Sequence, residues 1–331
     1  MEKRKLGKSN IEVSALGLGC WPIGGPFYSN GTNTGYGKQD DNEALKALYK
    51  AFDLGISFFD TSDIYGAGHS EKLLGKAFSG MRNNIVIATK FGFVFNEDTK
   101  ECTGTDHSPE FIRKACENSL RRLRTDYIDL YQFHLGFIPL EEATPVFETL
   151  ESLKKEGKIR EYGWSTDNAD SREFMIHKTN AVTIQHQYNL FINSDDIIKD
   201  CETYNLASIN RSPLAMGILG GKYRLDSKPF GQEDIRGNNI DWNFYFHDGL
   251  PNPNLLRQLD DLRCILTDGG RTLVQGALGW LWAKSSQTIP IPGFRTTEQV
   301  QELSKALETG PLTADQVSTI DSIAGNIKIV E

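Results

Sequence analysis

Four polar side chains fall at or just past the ends of three short apolar runs. Asp60 closes the run 56–59, Lys90 closes 85–89, and His134 closes 127–133; Tyr65 stands five residues beyond Asp60 in the loop that follows. A carboxylate, an ammonium, an imidazole and a phenol form one proton-handling set when a fold brings them together. A phenol ordinarily ionises near about 10, too high for easy proton exchange near neutrality. A neighbouring ammonium favours the phenolate and lowers that value. The ammonium, desolvated, needs a counter-ion, which a carboxylate supplies. An imidazole can donate a hydrogen bond that orients and polarises a carbonyl oxygen. Together the four suit one event: protonating a carbonyl oxygen while hydride arrives at its carbon. Taken singly, each has a plainer reading as a turn Asp, a rim Tyr, a solvated Lys or a satisfied rim His. Their joint occurrence at successive run ends carries the argument.

These residues need elements that present them on one side. Apolar runs at 13–18, 56–59, 85–89, 127–133, 159–164, 182–188, 206–209 and 288–291 read as strands. Amphipathic stretches alternate with them. Over 41–54, Ala44, Leu45, Leu48, Ala51 and Phe52 make one stripe, with Gly55 as the stop. Ser108-Pro109-Glu110 reads as an N-cap, a first helical residue and an acidic first turn, and Thr144-Pro145 opens a further helix that closes near Gly157. Eight strand–helix repeats imply a parallel sheet, either an open doubly wound one or a closed barrel. Length and regularity favour the barrel, where strand ends converge on one mouth that collects reactive groups. The segment 217–253 breaks the rhythm, being long, Gly-rich and polar, with Trp242, Phe244, Tyr245 and Phe246 near its end; it is expected to be a lid.

Composition narrows the function classes. The chain has 331 residues, 39% apolar and 24% charged, with no linker or low-complexity tract, so residues 1–331 read as one globular domain. A net charge of −8 disfavours a general role on nucleic acid or anionic membrane. The five cysteines contain no CxxC pair and read as reduced thiols of a cytoplasmic protein. The charged first residues lack a following apolar segment, so no secretory signal is expected, and no run reaches the length of a membrane span. Pro22 interrupts the would-be dinucleotide fingerprint starting at Gly17, and no histidine spacing suggests a metal.

The runs Phe59-Asp60-Thr61-Ser62-Asp63-Ile64-Tyr65-Gly66, Ala88-Thr89-Lys90-Phe91-Gly92 and Asp129-Leu130-Tyr131-Gln132-Phe133-His134 resemble the signatures of the aldo-keto reductase superfamily. The likeness spans essentially the whole chain, to Pro292-Gly293-Phe294-Arg295. It implies a (β/α)8 TIM barrel with an N-terminal β-hairpin and a long loop after strand seven. It also implies NADP(H) as cofactor, a tetrad of Asp60, Tyr65, Lys90 and His134, and Tyr65 as general acid in reduction. By the same resemblance, Ser165, Thr166 and Gln185 meet the nicotinamide carboxamide, with Trp21 and Asp60 nearby. The segment Arg211, Ser212, Pro213, Leu214 to Gly217 meets the ring and pyrophosphate, Arg211 standing where an aromatic usually stacks. Gly293, Arg295, Gln299 and Glu302 hold the adenosine end, with Arg295 on the 2′-phosphate. Trp21, Tyr28, Tyr65, Phe91, His134 and Trp164 are expected around the substrate, with Phe27 and the insertion 93–107 at the same mouth.

The partner expected on this reading is a small aldehyde, ketone, sugar-derived carbonyl or the matching alcohol. Two other classes stand beside it. One is a cofactor-binding regulatory subunit resembling potassium-channel β-subunits; the intact tetrad speaks against loss of chemistry and is compatible with regulation. The other is a phosphosugar-binding barrel without hydride chemistry.

Overall fold

The computed structural model describes residues 2–324. Eight parallel strands neighbour one another in chain order: β1 (Gly17–Gly19), β2 (Phe58–Asp60), β3 (Val86–Phe91), β4 (Ile128–Phe133), β5 (Ile159–Ser165), β6 (Thr183–Gln187), β7 (Ala207–Arg211) and β8 (Thr288–Pro290). A parallel bridge from Gly19 to Gly293, with the Gly19 N–H donating to the Pro292 carbonyl at 3.0 Å, draws the ring together. Strand order never reverses, so the chain is a (β/α)8 barrel and not an open doubly wound sheet. The helices are α1 (Asp41–Asp53), α2 (His69–Phe78), α3 (Pro109–Leu123), α4 (Leu140–Lys155), α5 (Ala169–Lys178), α6 (Asp195–Tyr204), α7 (Pro253–Leu266), α8 (Leu273–Lys284), α9 (Thr297–Thr309) and α10 (Ala314–Ala324).

Two apolar layers follow from strand alternation. Phe58, Val86, Ala88, Leu130, Ala207, Ile209 and Ile289 fill the interior, and Leu6 and Val13 of the hairpin Lys3–Lys5/Glu12–Ser14 plug its lower end. Gly7 turns that hairpin at φ 54°, where a Cβ would lie 2.3 Å from the Val182 carbonyl, so only glycine fits. The second layer packs Phe59, Ile87, Tyr131 and Trp164 against the helices.

Two local expectations are corrected. The run 13–18 is two strands, not one: Glu12–Ser14 belongs to the hairpin and Gly17–Gly19 to the barrel. Ser14 Oγ, bonded to the Leu16 carbonyl at 2.6 Å, marks the break. Helix α4 opens at Leu140, after Pro139, and runs through Pro145. Pro145 sits near enough to the start that its missing N–H costs a single helical bond. The caps of α1 and α3 are as the residues suggest: Asp40 accepts from Asn42 and Glu43, and Ser108 accepts from Phe111.

Three excursions cover the mouth. The hairpin Phe93–Phe95/Glu101–Thr105 pairs in parallel with Tyr28–Ser29. The third excursion follows β7 and carries a short helix, Ile235–Gly237, and a hairpin, Phe246–His247/Leu250–Pro251. It is fastened to the loop before α1: Asn33 Nδ2 donates to the Glu233 carbonyl at 2.7 Å, and the Ile235 N–H donates to the Gly35 carbonyl at 2.9 Å. Among the described residues, no helix is long and apolar enough to cross a membrane and no group of side chains could hold a metal ion; all five cysteines are free.

Candidate active site

Alternation along each strand decides which side chains reach the barrel mouth. Asp60, Lys90, Gln132, Ser165 and Gln185 point inward at the strand ends, and their immediate neighbours must then point outward to the helices. The loop after β2 carries Tyr65 over the opening. It docks on the short helix Trp21–Gly24 through two glycines: a Cβ on Gly66, at φ 63°, would lie 2.0 Å from the Gly24 carbonyl. This close approach fixes where the phenol points.

The four expected groups come together. Lys90 Nζ lies 2.5 Å from Asp60 Oδ1, 2.8 Å from the Thr61 carbonyl and 3.4 Å from the Tyr65 hydroxyl. Asp60 Oδ2 accepts from Gln185 Nε2 at 2.8 Å and from Gln132 Nε2 at 3.1 Å. Lys90 and Asp60 are 0% and 2% exposed, so water screens their attraction little. Tyr65 and His134 face the cavity edge to face, ring centroids 6.0 Å apart.

Burial disfavours the Lys90 charge, yet Asp60 and Tyr65 outweigh it and hold its pKa above the usual range, so Lys90 is an ammonium. Tyr65 departs from the sequence expectation. Burial is the largest influence and pushes its pKa above 10; Lys90 opposes this without reversing it. The phenol therefore keeps its proton near neutrality and stands as a donor. Burial, then Lys90 and Arg211, push the His134 pKa well below the usual imidazole range, so the ring is neutral.

These groups open onto a cavity of about 590 Å³. Its near wall is aromatic: Trp21, Phe27, Tyr36, Phe93 and Trp242 line it. Trp21 stacks on Tyr65 at 5.7 Å and meets Trp242, from the excursion after β7, at 6.2 Å. From Tyr65 the cavity extends past Asp60, Ser165, Gln185, Arg211, Ser212, Pro213, Leu214 and Gly217 to Gly293, Arg295 and Gln299. Ser212, Ala215 and Met216 hold positive φ beside Gly217, a strained stretch of cavity wall. Lys222, Arg236 and Arg295 line the cavity too; Arg236 pairs with Asp234 and lies 5.1 Å over the Tyr36 ring. Burial first, with Arg236 adding to it and Asp234 opposing it, lowers the pKa of Lys222 and of Arg295.

This donor set fits a long, phosphorylated dinucleotide. Ser165 offers a hydroxyl and Gln185 a carbonyl that takes no donor from the described residues, while three cations line the same cavity. Several expected contacts are already used within the protein. Gln185 Nε2 is committed to Asp60. Arg211 pairs with Asp167 while lining the cavity. Arg295 donates to Gln39 Oε1 at 2.7 Å and the Lys38 carbonyl at 2.5 Å, and its own N–H is taken by Gln299 Oε1 at 2.7 Å.

Other expected residues do not reach the cavity. Phe91 and Trp164 are fully buried in the layer beneath the helices, because Lys90 and Ser165 beside them take the inward positions. Phe91 stacks on Tyr131 at 4.5 Å, and Trp164 Nε1 donates to the Leu135 carbonyl at 2.7 Å. Tyr28 lies in a small strand whose neighbours Phe27 and Ser29, and not Tyr28, face the cavity. Thr166 Oγ1 is spent on the Gly136 carbonyl at 2.5 Å, and Glu302 stands on α9 outside the lining. Conversely, the sequence reading passed over Gln132, Tyr36, Lys222, Asp234 and Arg236. Gln132 had a signal: it is a polar residue in phase with Leu130, which faces the barrel interior, whereas the strand's other polar residue, Asp129, is out of phase.

A ring of eight parallel strands, with an ion-paired lysine behind a phenol at the mouth, defines a barrel-fold oxidoreductase. The chain belongs to the aldo/keto reductase family, whose model matches residues 15–325. It is 31% identical over 323 residues to the oxidoreductase YqkF of Bacillus subtilis, covering 97% of this chain and 96% of that protein. It is 31% identical over 340 residues to the aldo-keto reductase yakc [NADP(+)] of Schizosaccharomyces pombe, covering 99% and 92%. The glycerol dehydrogenase of Gluconobacter oxydans has the same fold, with a TM-score of 0.82 at 28% identity and coverage of 99% and 98%.

Proposed function

We propose that this protein is an NADP(H)-dependent reductase of aldehydes and ketones, with Tyr65 as the proton donor. The observation that carries the reading is the Tyr65 hydroxyl 3.4 Å from an ammonium that Asp60 holds in place. Bound in the cavity, the nicotinamide supplies hydride to the carbonyl carbon, or takes it from an alcohol. Ser165 and Gln185 would hold its carboxamide, the segment 211–217 its diphosphate, and Arg295 with Lys222 the 2′-phosphate. The name of the yeast relative, which specifies NADP(+), supports that choice.

The protein's own groups manage the oxygen. Tyr65 and His134 line the same part of the cavity, their rings 6.0 Å apart, where a carbonyl oxygen would accept from both. As negative charge grows on that oxygen, the phenol proton moves to it, and the phenolate left behind is stabilised by Lys90. Asp60 keeps Lys90 charged and aimed. The aromatic wall of Trp21, Phe27, Phe93 and Trp242 excludes water and favours a small carbonyl compound with a flat or apolar body. The single-barrel reading of the chain places every one of these groups in one domain. Tyr65→Phe tests the assignment: carbonyl reduction falls to a small residue while NADPH titration by fluorescence stays as before. Near-normal turnover refutes the role of Tyr65, and loss of NADPH binding refutes the division of labour.

A further inference from the structure

His134 has two ring nitrogens and, being neutral, one ring proton. Only the form protonated on Nε2 can donate to an oxygen in the cavity if Nδ1 faces the protein. Nδ1 does face the protein: it lies 3.1 Å from Ser62 Oγ. Ser62 Oγ in turn lies 3.2 Å from Asp63 Oδ1. Both residues are buried, at 0% and 1% exposure, and nothing in the proton transfer from Tyr65 uses them. Ser62 owns one proton and has two neighbours that could take it. If it goes to Asp63, the serine must accept from Nδ1, and His134 then turns a bare nitrogen to the substrate.

We infer that Ser62 donates to His134 Nδ1, fixing the ring in its Nε2–H form, and that Asp63 donates to Ser62 as a protonated carboxyl. The inference rests on the reading of His134 as the group that hydrogen-bonds the carbonyl oxygen. The surroundings of Asp63 favour the neutral acid. Burial first, then the nearby Glu71, push its pKa well up; Arg122, the Ser62 contact and the Ile64 N–H oppose this without reversing it. Arg122 is engaged elsewhere, donating from Nε to Glu71 Oε2 at 2.6 Å and from Nη1 to Glu97 Oε1 at 2.9 Å. Thr89 Oγ1 also donates to Glu71, at 2.6 Å. Arg122 is thus paired with Glu71, and Asp63 beside it, with no cation among the described residues bonded to its own carboxyl, remains a donor. Burial, with Lys90 and Arg211 adding to it, keeps the His134 ring neutral, and Ser62 Oγ is the group at its Nδ1 that biases the choice between the two neutral forms. Ser62 is a positioning residue: it touches neither substrate nor cofactor and acts through the histidine.

The test reads the ring directly. Long-range proton–nitrogen NMR of the whole protein without added cofactor separates Nε2–H from Nδ1–H histidines, and His134→Asn assigns the signal. The expected wild-type signal is Nε2–H. In Ser62→Ala an Nδ1–H fraction appears beside it, and kcat for 4-nitrobenzaldehyde with NADPH falls as the ring loses its fixed donor, with KM little changed. Asp63→Asn retains the wild-type signal and most of kcat, because an amide also donates. An Nδ1–H signal in the wild type, or an Ser62→Ala protein unchanged in both readouts, overturns the inference. Loss of the signal and of kcat in Asp63→Asn overturns the part assigned to Asp63. His134→Ala separates the two levels. If it turns over normally, the reading of His134 fails and takes the inference with it; if it is slow while Ser62→Ala is not, only the inference fails.

Discussion

Lys90 is held more tightly by Asp60 than by Tyr65: its ammonium is 2.5 Å from the carboxylate and 3.4 Å from the phenol. The pair is buried, so each charge depends on the other. Lys90→Met leaves a buried carboxylate unpaired and is expected to cost about 3–5 kcal/mol of stability. Asp60→Asn combined with Lys90→Met costs less than the two singles added, since neither charge is then stranded. Urea denaturation of the three variants measures this, and strictly additive losses contradict the coupling.

The pH profile of reduction follows from two directions of shift. Tyr65 titrates above 10 and His134 well below 6.5, so neither changes state between them. The kcat for carbonyl reduction is expected to be flat from about pH 7 to about pH 9 and to fall only at more alkaline pH, as the phenol loses its proton. A limb near about 6.5 in kcat against pH, the ordinary histidine value, contradicts a neutral His134.

In the cavity lining, Arg295→Ala removes a cation from the proposed 2′-phosphate site. One charged hydrogen-bonding partner is worth about 1.5–3 kcal/mol, so NADPH affinity is expected to drop roughly 10- to 100-fold. NADH affinity, measured by the same fluorescence titration, should change far less. Equal losses for both cofactors point instead to the tether that Arg295 makes with Gln39 and Lys38.

Arg211 brings a positive charge to the cavity wall where the nicotinamide is proposed to lie, and Asp167 offsets part of it. A cation there disfavours the oxidised, positively charged ring. Arg211→Tyr is expected to raise NADP+ affinity relative to NADPH, by less than about tenfold given the Asp167 partner. An unchanged ratio of the two dissociation constants rules the effect out.

His186, away from the cavity, reports on stability. Burial pushes its pKa down to about 4, against about 6.5 in the unfolded chain. Between those values the unfolded chain binds a proton that the folded one does not, so stability is lost as pH falls through this window. The full loss is roughly 3 kcal/mol at about 1.4 kcal/mol per pH unit. His186→Gln can keep a hydrogen bond to Ser208 Oγ, which now lies 2.7 Å from Nε2, and should flatten the dependence. Denaturation midpoints at a series of pH values check it.

Much of this was legible in the residues. Strand ends predicted where Asp60, Lys90 and His134 would project, and the barrel brought them to one mouth beside Tyr65. Phe91 and Trp164 were misplaced although the sequence held the correction: each adjoins an inward residue and so must face out. Other parts depended on distance along the chain. Arg295 meets Gln39 across 256 residues, and no local pattern announces such a contact. Asp234 and Arg236 lie in a stretch without periodicity, where burial cannot be inferred from spacing. The phenol's acidity was misjudged for a related reason: a neighbouring charge can be read from a motif, whereas the weight of burial needs the surrounding atoms.

The excursion after β7, stitched to the loop before α1 through Asn33, Gly35, Glu233 and Ile235, is anchored on connections outside the ring. The roof over the cavity is thus fastened separately from the strand ends that hold Asp60 and Lys90, touching Tyr65 only through Trp21 and Trp242 among the aromatic contacts of the described residues. Evolution can redraw the roof, exchanging Trp242 or the hairpin at 93–105, while Asp60, Lys90 and His134 stay fixed in the walls. One ring of strands in this way accommodates a succession of different guests.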